Sequence, residues 1–289
     1  MKLPLRDRLF QHEAINFLLT NRIPRRLATQ LVGWLSPIEQ PLVRDLSIKL
    51  WQLFAGPLDL RDAKKTRFRS LHDCFTRELK AGARPVDAGA GVVVSPCDAI
   101  VGAFGRIHGT ELIQAKGFPY TLEDLLGDSQ LVALYRDGVY VTLRLRSTMY
   151  HRFHAPFDCT VDEVLYISGD TWNVNPIALE RIERLFCKNE RAVVHTTLRG
   201  SAESVALVAV AAILVAGIHL NFIDEPLTLA YKGPNRLRCR AAFRKGDEMG
   251  YFRHGSTIIV FATGGLAPCD RVLPGTVIRM GEPLLHQTR

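Results

Sequence analysis

Residues 205 to 218, VALVAVAAILVAGI, are the longest apolar run of the chain, and their 14 residues fall short of the roughly 20 that a membrane-spanning helix needs. So apolar a segment must then be buried in a protein core. Its β-branched content and turn-bounded setting favour strand, as do those of the runs at 92 to 95, 159 to 167, 192 to 198, 237 to 243 and 257 to 261. In Val139-Tyr140-Val141-Thr142-Leu143-Arg144-Leu145-Arg146 the odd positions are all apolar, the pattern of a half-buried strand. From about residue 90 onward the chain is expected to be mostly β.

The N-terminal part reads differently. Residues 5 to 55 suggest helix, with Ser36-Pro37-Ile38-Glu39 offering an N-cap, a proline at the first helical position and the glutamate of a capping box. Pro41 fits that helix poorly. Beyond it Leu42, Leu46, Leu50 and Phe54 recur every four residues, with Val43 and Trp51 beside them and Arg44 and Lys49 interspersed. Such an amphipathic helix packs on its own domain or faces a membrane, and the pattern leaves both open. Residues 1 to 90 carry 16 Lys and Arg against 9 Asp and Glu, whereas residues 91 to 289 carry 21 against 20. The basicity therefore belongs to the first third, the cluster Lys64-Lys65-Thr66-Arg67-Phe68-Arg69 included. Nucleic acid and an anionic membrane both suit that charge.

With 289 residues, 47% of them hydrophobic, the chain can build one large or two modest domains, which excludes collagen-like and wholly disordered classes. Its start, MKLPLRDRLFQHEA, mixes charges into apolar residues and does not read as a secretory signal, so the cytoplasmic side is expected. The six cysteines, at 74, 97, 159, 187, 239 and 269, form no C-x-x-C pair or Cys/His cluster, so neither a metal site nor a disulfide framework is expected. No internal repeat, P-loop or G-x-G-x-x-G fingerprint is present.

Three features carry possible chemistry. Tyr150-His151-Arg152-Phe153-His154-Ala155-Pro156 leaves a strand with two histidines three apart, a setting for an imidazole near neutral pKa or for half-buried structural histidines. Ser95-Pro96-Cys97-Asp98 follows an apolar strand, and its aspartate suits either an Asx-turn or the orienting of a histidine. Arg253-His254-Gly255-Ser256-Thr257 leads into the strand Ile258-Ile259-Val260-Phe261, a simple turn or a Gly-Ser peptide held so that the hydroxyl reaches the preceding carbonyl.

In order along the chain, these pieces join Phe75-Thr76-Arg77-Glu78-Leu79-Lys80 with Arg84-Pro85, then Lys116-Gly117, Tyr120-Thr121-Leu122 and Leu125-Leu126, and later Lys245-Gly246-Asp247-Glu248-Met249-Gly250-Tyr251-Phe252. The colinear set, over about residues 70 to 265, resembles the phosphatidylserine decarboxylase proenzymes of prokaryotic type. The resemblance implies autocatalytic serinolysis between Gly255 and Ser256: His154, oriented by Asp98, takes the Ser256 proton, and the hydroxyl attacks the Gly255 carbonyl. Elimination and loss of ammonia would leave a β chain of residues 1–255 and an α chain of residues 256–289 capped by a pyruvoyl group derived from Ser256. That cap would be the sole cofactor and the Schiff-base site for phosphatidylserine, with His151 as proton donor or carboxylate contact.

The implied fold class is α+β, a mainly β catalytic domain over 71–289 preceded by a helical, basic, membrane-facing region over 1–70. The implied partners are phosphatidylserine and an anionic membrane surface, not nucleic acid; the α and β chains would form a heterodimer that dimerises again, peripherally on the cytoplasmic side of the cell membrane. Alternatives of different class are a decarboxylase of another amino acid or aminophospholipid, and a lipid-binding relative that never cleaves. The chain departs from the family pattern at Ala99, at Ser147-Thr148-Met149 before Tyr150, at Ala211 and Ala216, and at His254 beside the cleavage site.

Overall fold

A computed structural model describes residues 17, 21, 23–113, 118–214, 217–253 and 256–288. Among the described residues the N-terminal part holds the helices α1 (Arg25–Leu35), α2 (Pro41–Ala55) and the short α3 (Leu71–Phe75). Next come β1 (Val92–Val94), β2 (Ala99–Arg106), the hairpin β3 (Glu111–Ile113) and β4 (Pro119–Thr121), α4 (Leu122–Leu126), α5 (Ser129–Tyr135) and β5 (Val139–Arg144). After β6 (Arg152–His154) and β7 (Cys159–Ile167), the turns α6 (Pro176–Leu179) and α7 (Leu185–Lys188) lead to β8 (Arg191–Leu198) and β9 (Ser204–Val210). The rest is strand: β10 (Ile218–Leu220), β11 (Arg236–Phe243), β12 (Glu248–Phe252), β13 (Thr257–Ala262), β14 (Leu266–Pro268), β15 (Val277–Ile278) and β16 (Pro283–Gln287).

An antiparallel eight-stranded sheet in the order β11-β7-β8-β9-β13-β5-β2-β15 forms the body, flanked by the three-stranded sheets β1-β16-β14 and β10-β12-β6. The mixed, mostly β character agrees with the fold class read from the sequence. Strand β5 departs from it in one respect. It was expected to be half-buried, yet Tyr140 and Thr142 are buried as thoroughly as Val139, Val141 and Leu143. The strand lies deep in the sheet, and the Tyr135 ring of α5 stacks on Phe261 of neighbouring β13 at 6.2 Å, closing the face that alternation assigned to solvent.

Two other expectations are corrected. The helix does not start at Pro37, because Ser36 caps the C-terminus of α1 and α2 starts at Pro41, with the Gln40 side chain accepting from Val43 N at 2.9 Å. A start at Pro37 would have put Pro41 inside the first turns, where its ring opposes the preceding carbonyl; at N1 its missing N–H costs nothing. The 205 to 218 run is not one strand either. It leaves the large sheet after Val210, bends through Leu214 at φ 64° and Gly217 at φ 137°, and enters a different sheet as β10. A side chain at Gly217 would meet the Leu227 carbonyl at 2.7 Å, so this bend needs glycine.

No helix among the described residues is long and apolar enough to cross a membrane. Helices α1 and α2 nevertheless turn apolar side chains outward: Leu27, Leu31 and Trp34 on α1, and Leu42, Leu46, Leu50 and Leu53 on α2, are exposed, Leu42 to 77%. Polar contacts hold the inward side of α1. Arg25 pairs with Asp170 and lies over Trp172 at 3.5 Å, Arg26 donates to Gly169 O at 3.0 Å, and Thr29 accepts from Leu214 N at 3.0 Å. On α1 the faces are mixed, since Arg25 and Thr29 turn inward with Val32 while Leu27, Leu31 and Trp34 turn outward with Arg26 and Gln30.

Candidate active site

The Ser95-Pro96-Cys97-Asp98 turn joins β1 to β2 and is braced by its own Ser95 hydroxyl, which donates to Cys97 O at 2.8 Å. The His154 amide donates to Pro96 O at 2.8 Å, so the turn is fastened directly to β6. Sequence order alone would not bring Asp98 and His154 together; this backbone contact does. Their side chains, however, are committed elsewhere. Asp98 receives Arg84 Nε at 2.9 Å, Arg84 Nη2 at 2.6 Å and the Met280 amide at 2.9 Å. His154 donates from Nδ1 to Gly246 O at 2.8 Å, which leaves Nε2 to accept the Tyr150 hydroxyl at 2.9 Å.

A neutral imidazole makes both bonds. Burial holds the His154 pKa below the ordinary histidine value, while the Gly246 carbonyl and, more weakly, the charges of Glu248 and Asp98 act in the opposite direction. Burial likewise pushes the Tyr150 phenol well up, so it stays a donor. Gly246 adopts φ 89°, and with this left-handed backbone it both bonds Ala155 O through its amide and aims its carbonyl at His154.

His151 is fully buried, its Nδ1 donating to Met149 O at 2.8 Å and its ring tilted against Phe75 with centroids 4.0 Å apart. Its carbonyl accepts the Phe252 amide at 3.0 Å, and one step away the Ser256 carbonyl accepts the Leu145 amide at 2.9 Å. The two connections 145–151 and 252–256 are thus pinned to each other at both ends. Ser256 stands just before β13, is 0% exposed, and its Oγ has no hydrogen-bond partner among the described residues. A buried hydroxyl left unpaired is costly, and the hydroxyls of Thr257 next to it and of Thr142 share that condition. Gly255 and His254 lie outside the described residues. Met149 makes the turn before Tyr150, with its sulfur accepting the Arg146 amide at 3.4 Å.

Several supporting residues were not assigned roles from sequence. Buried Arg77 donates to Cys74 O and Thr148 O, and Arg152 links Thr76 O to Glu248. Both clamp the strand-exit loop that carries the histidines. The signal lay in Phe75-Thr76-Arg77 and Arg84-Pro85, but which carbonyl or carboxylate each guanidinium grips depends on folding across dozens of residues.

Comparison with known proteins shows the family. The family model described as phosphatidylserine decarboxylase matches residues 71–286. The phosphatidylserine decarboxylase proenzyme of Vibrio cholerae serotype O1 is 36% identical over 277 residues, covering 92% of this chain and 96% of that protein. Those of Acinetobacter baylyi and Aliivibrio fischeri are 35% and 34% identical, covering 92% and 91% of this chain and 93% and 94% of theirs. With the motifs, the sheet that carries them and these relatives in agreement over nearly its whole length, the chain belongs to the phosphatidylserine decarboxylase family.

Proposed function

We propose that this chain is a self-processing, pyruvoyl-dependent enzyme that decarboxylates phosphatidylserine to phosphatidylethanolamine. The observation that carries the reading is the buried, unpaired Ser256 Oγ at the mouth of β13. It fits the residue from which the group would be made, because a hydroxyl free of competing hydrogen bonds can turn toward its own preceding carbonyl.

In this reading His154, neutral because buried, receives the Ser256 hydroxyl proton at Nε2 once the Tyr150 hydroxyl turns away from it. The Oγ–C bond to Gly255 forms, the C–N bond to Ser256 breaks, and the amide becomes an ester. Loss of the Ser256 α-proton and cleavage of the Cβ–Oγ bond then release residues 1–255 with a carboxylate end. Hydrolysis of the dehydroalanine at residue 256 frees ammonia and leaves the pyruvoyl cap. Asp98, held by Arg84, favours the charged form of His154 from a distance. The pyruvoyl carbonyl supplies the electron sink for loss of carbon dioxide. His151, fixed by Phe75 and Met149 O, is positioned as proton donor or carboxylate contact.

Residues 1–70 serve as the membrane-association region and 71–289 as the catalytic domain. The outward apolar faces of α1 and α2 and the basic first third support attachment to an anionic surface, peripherally and on the cytoplasmic side of the cell membrane. The cleaved β and α chains stay together as a heterodimer, which pairs with a second copy.

Denaturing intact-mass measurement of the purified protein tests the reading. The expected result is two chains split before residue 256, the smaller about 17 Da lighter than a serine-started peptide, as exchange of the amine-bearing serine for a ketone cap requires. Ser256→Ala is expected to give one uncleaved chain. A wild-type protein that remains a single chain refutes it.

A further inference from the structure

A cationic patch that the scheme above leaves unused lies on the sheet β10-β12-β6, just before the cleavage site. Tyr251 of β12 is paired with His219 of β10 on one side and with Arg152 of β6 on the other, so these three side chains share one face. The His219 ring packs on Tyr251 with centroids 4.6 Å apart, and the Arg152 guanidinium lies 5.3 Å from the centre of the same ring. The Arg253 amide donates to Gly217 O at 3.1 Å, which carries the β10–β12 pairing one residue further. Because side chains alternate along a strand, Arg253 stands on the face of Tyr251.

Helix α3 lies against this face. His72 and Phe75 are three residues apart on one side of that helix, the His72 ring 6.4 Å from Tyr251 and the Phe75 ring 4.0 Å from His151. Along α3 the patch is thus offset from the His151 ring by one turn, about 5 Å. The same helix is tied to the outward-facing helices, since the His72 amide donates to Ser36 O at 2.9 Å and the Phe75 ring meets Trp51 of α2 at 5.1 Å.

Charge in the patch is unevenly matched. Arg152 pairs with Glu248 at 2.7 Å and Glu78 at 3.8 Å, and Asp73 pairs with Lys65 at 2.8 Å. No carboxylate among the described residues pairs with Arg253, and its Nε, although buried, closes no hydrogen bond. A guanidinium is a fork of donors shaped for phosphate or carboxylate oxygens, and leaving a buried donor of this kind unpaired is costly. Burial and, after it, the Arg253 charge hold His72 and His219 below the ordinary histidine value, with Asp73 and Glu248 opposing. At neutral pH each ring therefore offers an N–H without adding a charge.

Phosphatidylserine carries two anionic groups, and the reaction treats them differently. The carboxylate gives up its charge as carbon dioxide leaves, so a cation fixed on it would hold the ground state more tightly than the transition state. The phosphodiester keeps its charge throughout and is joined to the amine-bearing unit through two carbons and one oxygen. Arg253 is three residues ahead of Ser256, at most about 10 Å away along an extended chain.

We propose that Arg253, with His72 and His219 beside it, binds the phosphodiester of the substrate while the serine amine reacts at residue 256. The proposal rests on the reading of this chain as a phosphatidylserine decarboxylase processed at Ser256.

The test uses the processed full-length enzyme in mixed detergent micelles with two substrates, phosphatidylserine and its phosphate methyl ester, which keeps the serine and the acyl chains but has no phosphate charge. Wild type is expected to show a KM about 10- to 100-fold higher for the methyl ester, the span for a lost hydrogen bond to a charged group, with kcat within a factor of about two. Arg253→Gln is expected to show the higher KM for both substrates, so that discrimination disappears. Arg253→Lys, which keeps the charge but not the fork, is expected to lie between. His219→Phe, which keeps a ring against Tyr251 without its N–H, is expected to discriminate less than wild type. Wild type that handles both substrates equally overturns the proposal. So does an Arg253→Gln enzyme that discriminates as wild type does, or that loses kcat with KM unchanged. If the Arg253 variants do not fold or are not cleaved, His219→Phe decides: undiminished discrimination overturns the proposal. A wild-type chain that neither cleaves nor decarboxylates phosphatidylserine refutes the underlying reading instead.

Discussion

Arg84 grips Asp98 side-on, its Nε and Nη2 reaching the two carboxylate oxygens at 2.9 and 2.6 Å, with both side chains only 10% exposed. Asp98 therefore does not need His154 to satisfy its charge. Its carboxylate is held rigid beside β6 by a guanidinium whose other nitrogen spans to Asp62 at 2.9 Å.

Removing Arg84 should thus act first on stability. An ion pair broken from one side in a buried setting typically costs about 3–5 kcal/mol, because the remaining charge is stranded. Arg84→Met is expected to lose about that much in urea unfolding, whereas Arg84→Met combined with Asp98→Asn should recover a good part of it. Equal stability of Arg84→Met and wild type would show that the pair contributes nothing.

The His154–Tyr150 contact sets a pH dependence. Processing requires neutral His154, so its rate should rise with pH through a midpoint below the ordinary histidine value of about 6.5, since burial lowers the imidazole pKa. The Tyr150 hydroxyl donates to the Nε2 lone pair, which exists only in the neutral form. Tyr150→Phe removes that support and should move the midpoint upward, in the direction of weaker processing at acid pH. A midpoint that stays in place or falls would show that the phenol does not act on the base.

How far the sequence disclosed this site follows from the range of the forces involved. Strands β5, β7, β8, β11 and β13 were legible because alternation and β-branched runs are local, and Ser256, His154 and Asp98 were singled out because a colinear motif set marked them. Arg84 on Asp98 and Gly246 O on His154 were not, because they join segments 14 and 92 residues apart. Proline geometry is local too, yet the start of α2 was misplaced by favouring a capping-box pattern over the stronger rule that Pro41 belongs at N1.

The outward leucines of α2 should matter for surface binding and little for folding. Leu42, Leu46 and Leu50 are all at least 50% exposed, and burying a leucine side chain is worth about 1.5–3 kcal/mol. Replacing the three with Gln is expected to weaken binding to phosphatidylserine-containing vesicles at least 100-fold while leaving the melting temperature within a few degrees. If vesicle binding is unchanged, the apolar face serves another partner. If the protein unfolds, the face is packed in solution.

Glu190, 0% exposed just before β8, should also leave a pH-dependent mark on stability. In the unfolded chain its pKa is an ordinary glutamate value of about 4.3, whereas in the folded chain burial raises it to about 8. Its contribution is therefore fully present below the lower value and is lost progressively as pH rises to the upper one, above which both states are ionised and the loss is complete. Each pKa unit corresponds to about 1.4 kcal/mol, so the decline amounts to a few kcal/mol. Measured in the Ser256→Ala background, where every molecule stays uncleaved, urea unfolding should show stability falling across that window, and Glu190→Gln should flatten the fall because an amide cannot ionise in either state. The Gln protein should then be the more stable of the two at pH 8, and a curve that overlays the parent would show that the carboxyl is solvated in the folded protein.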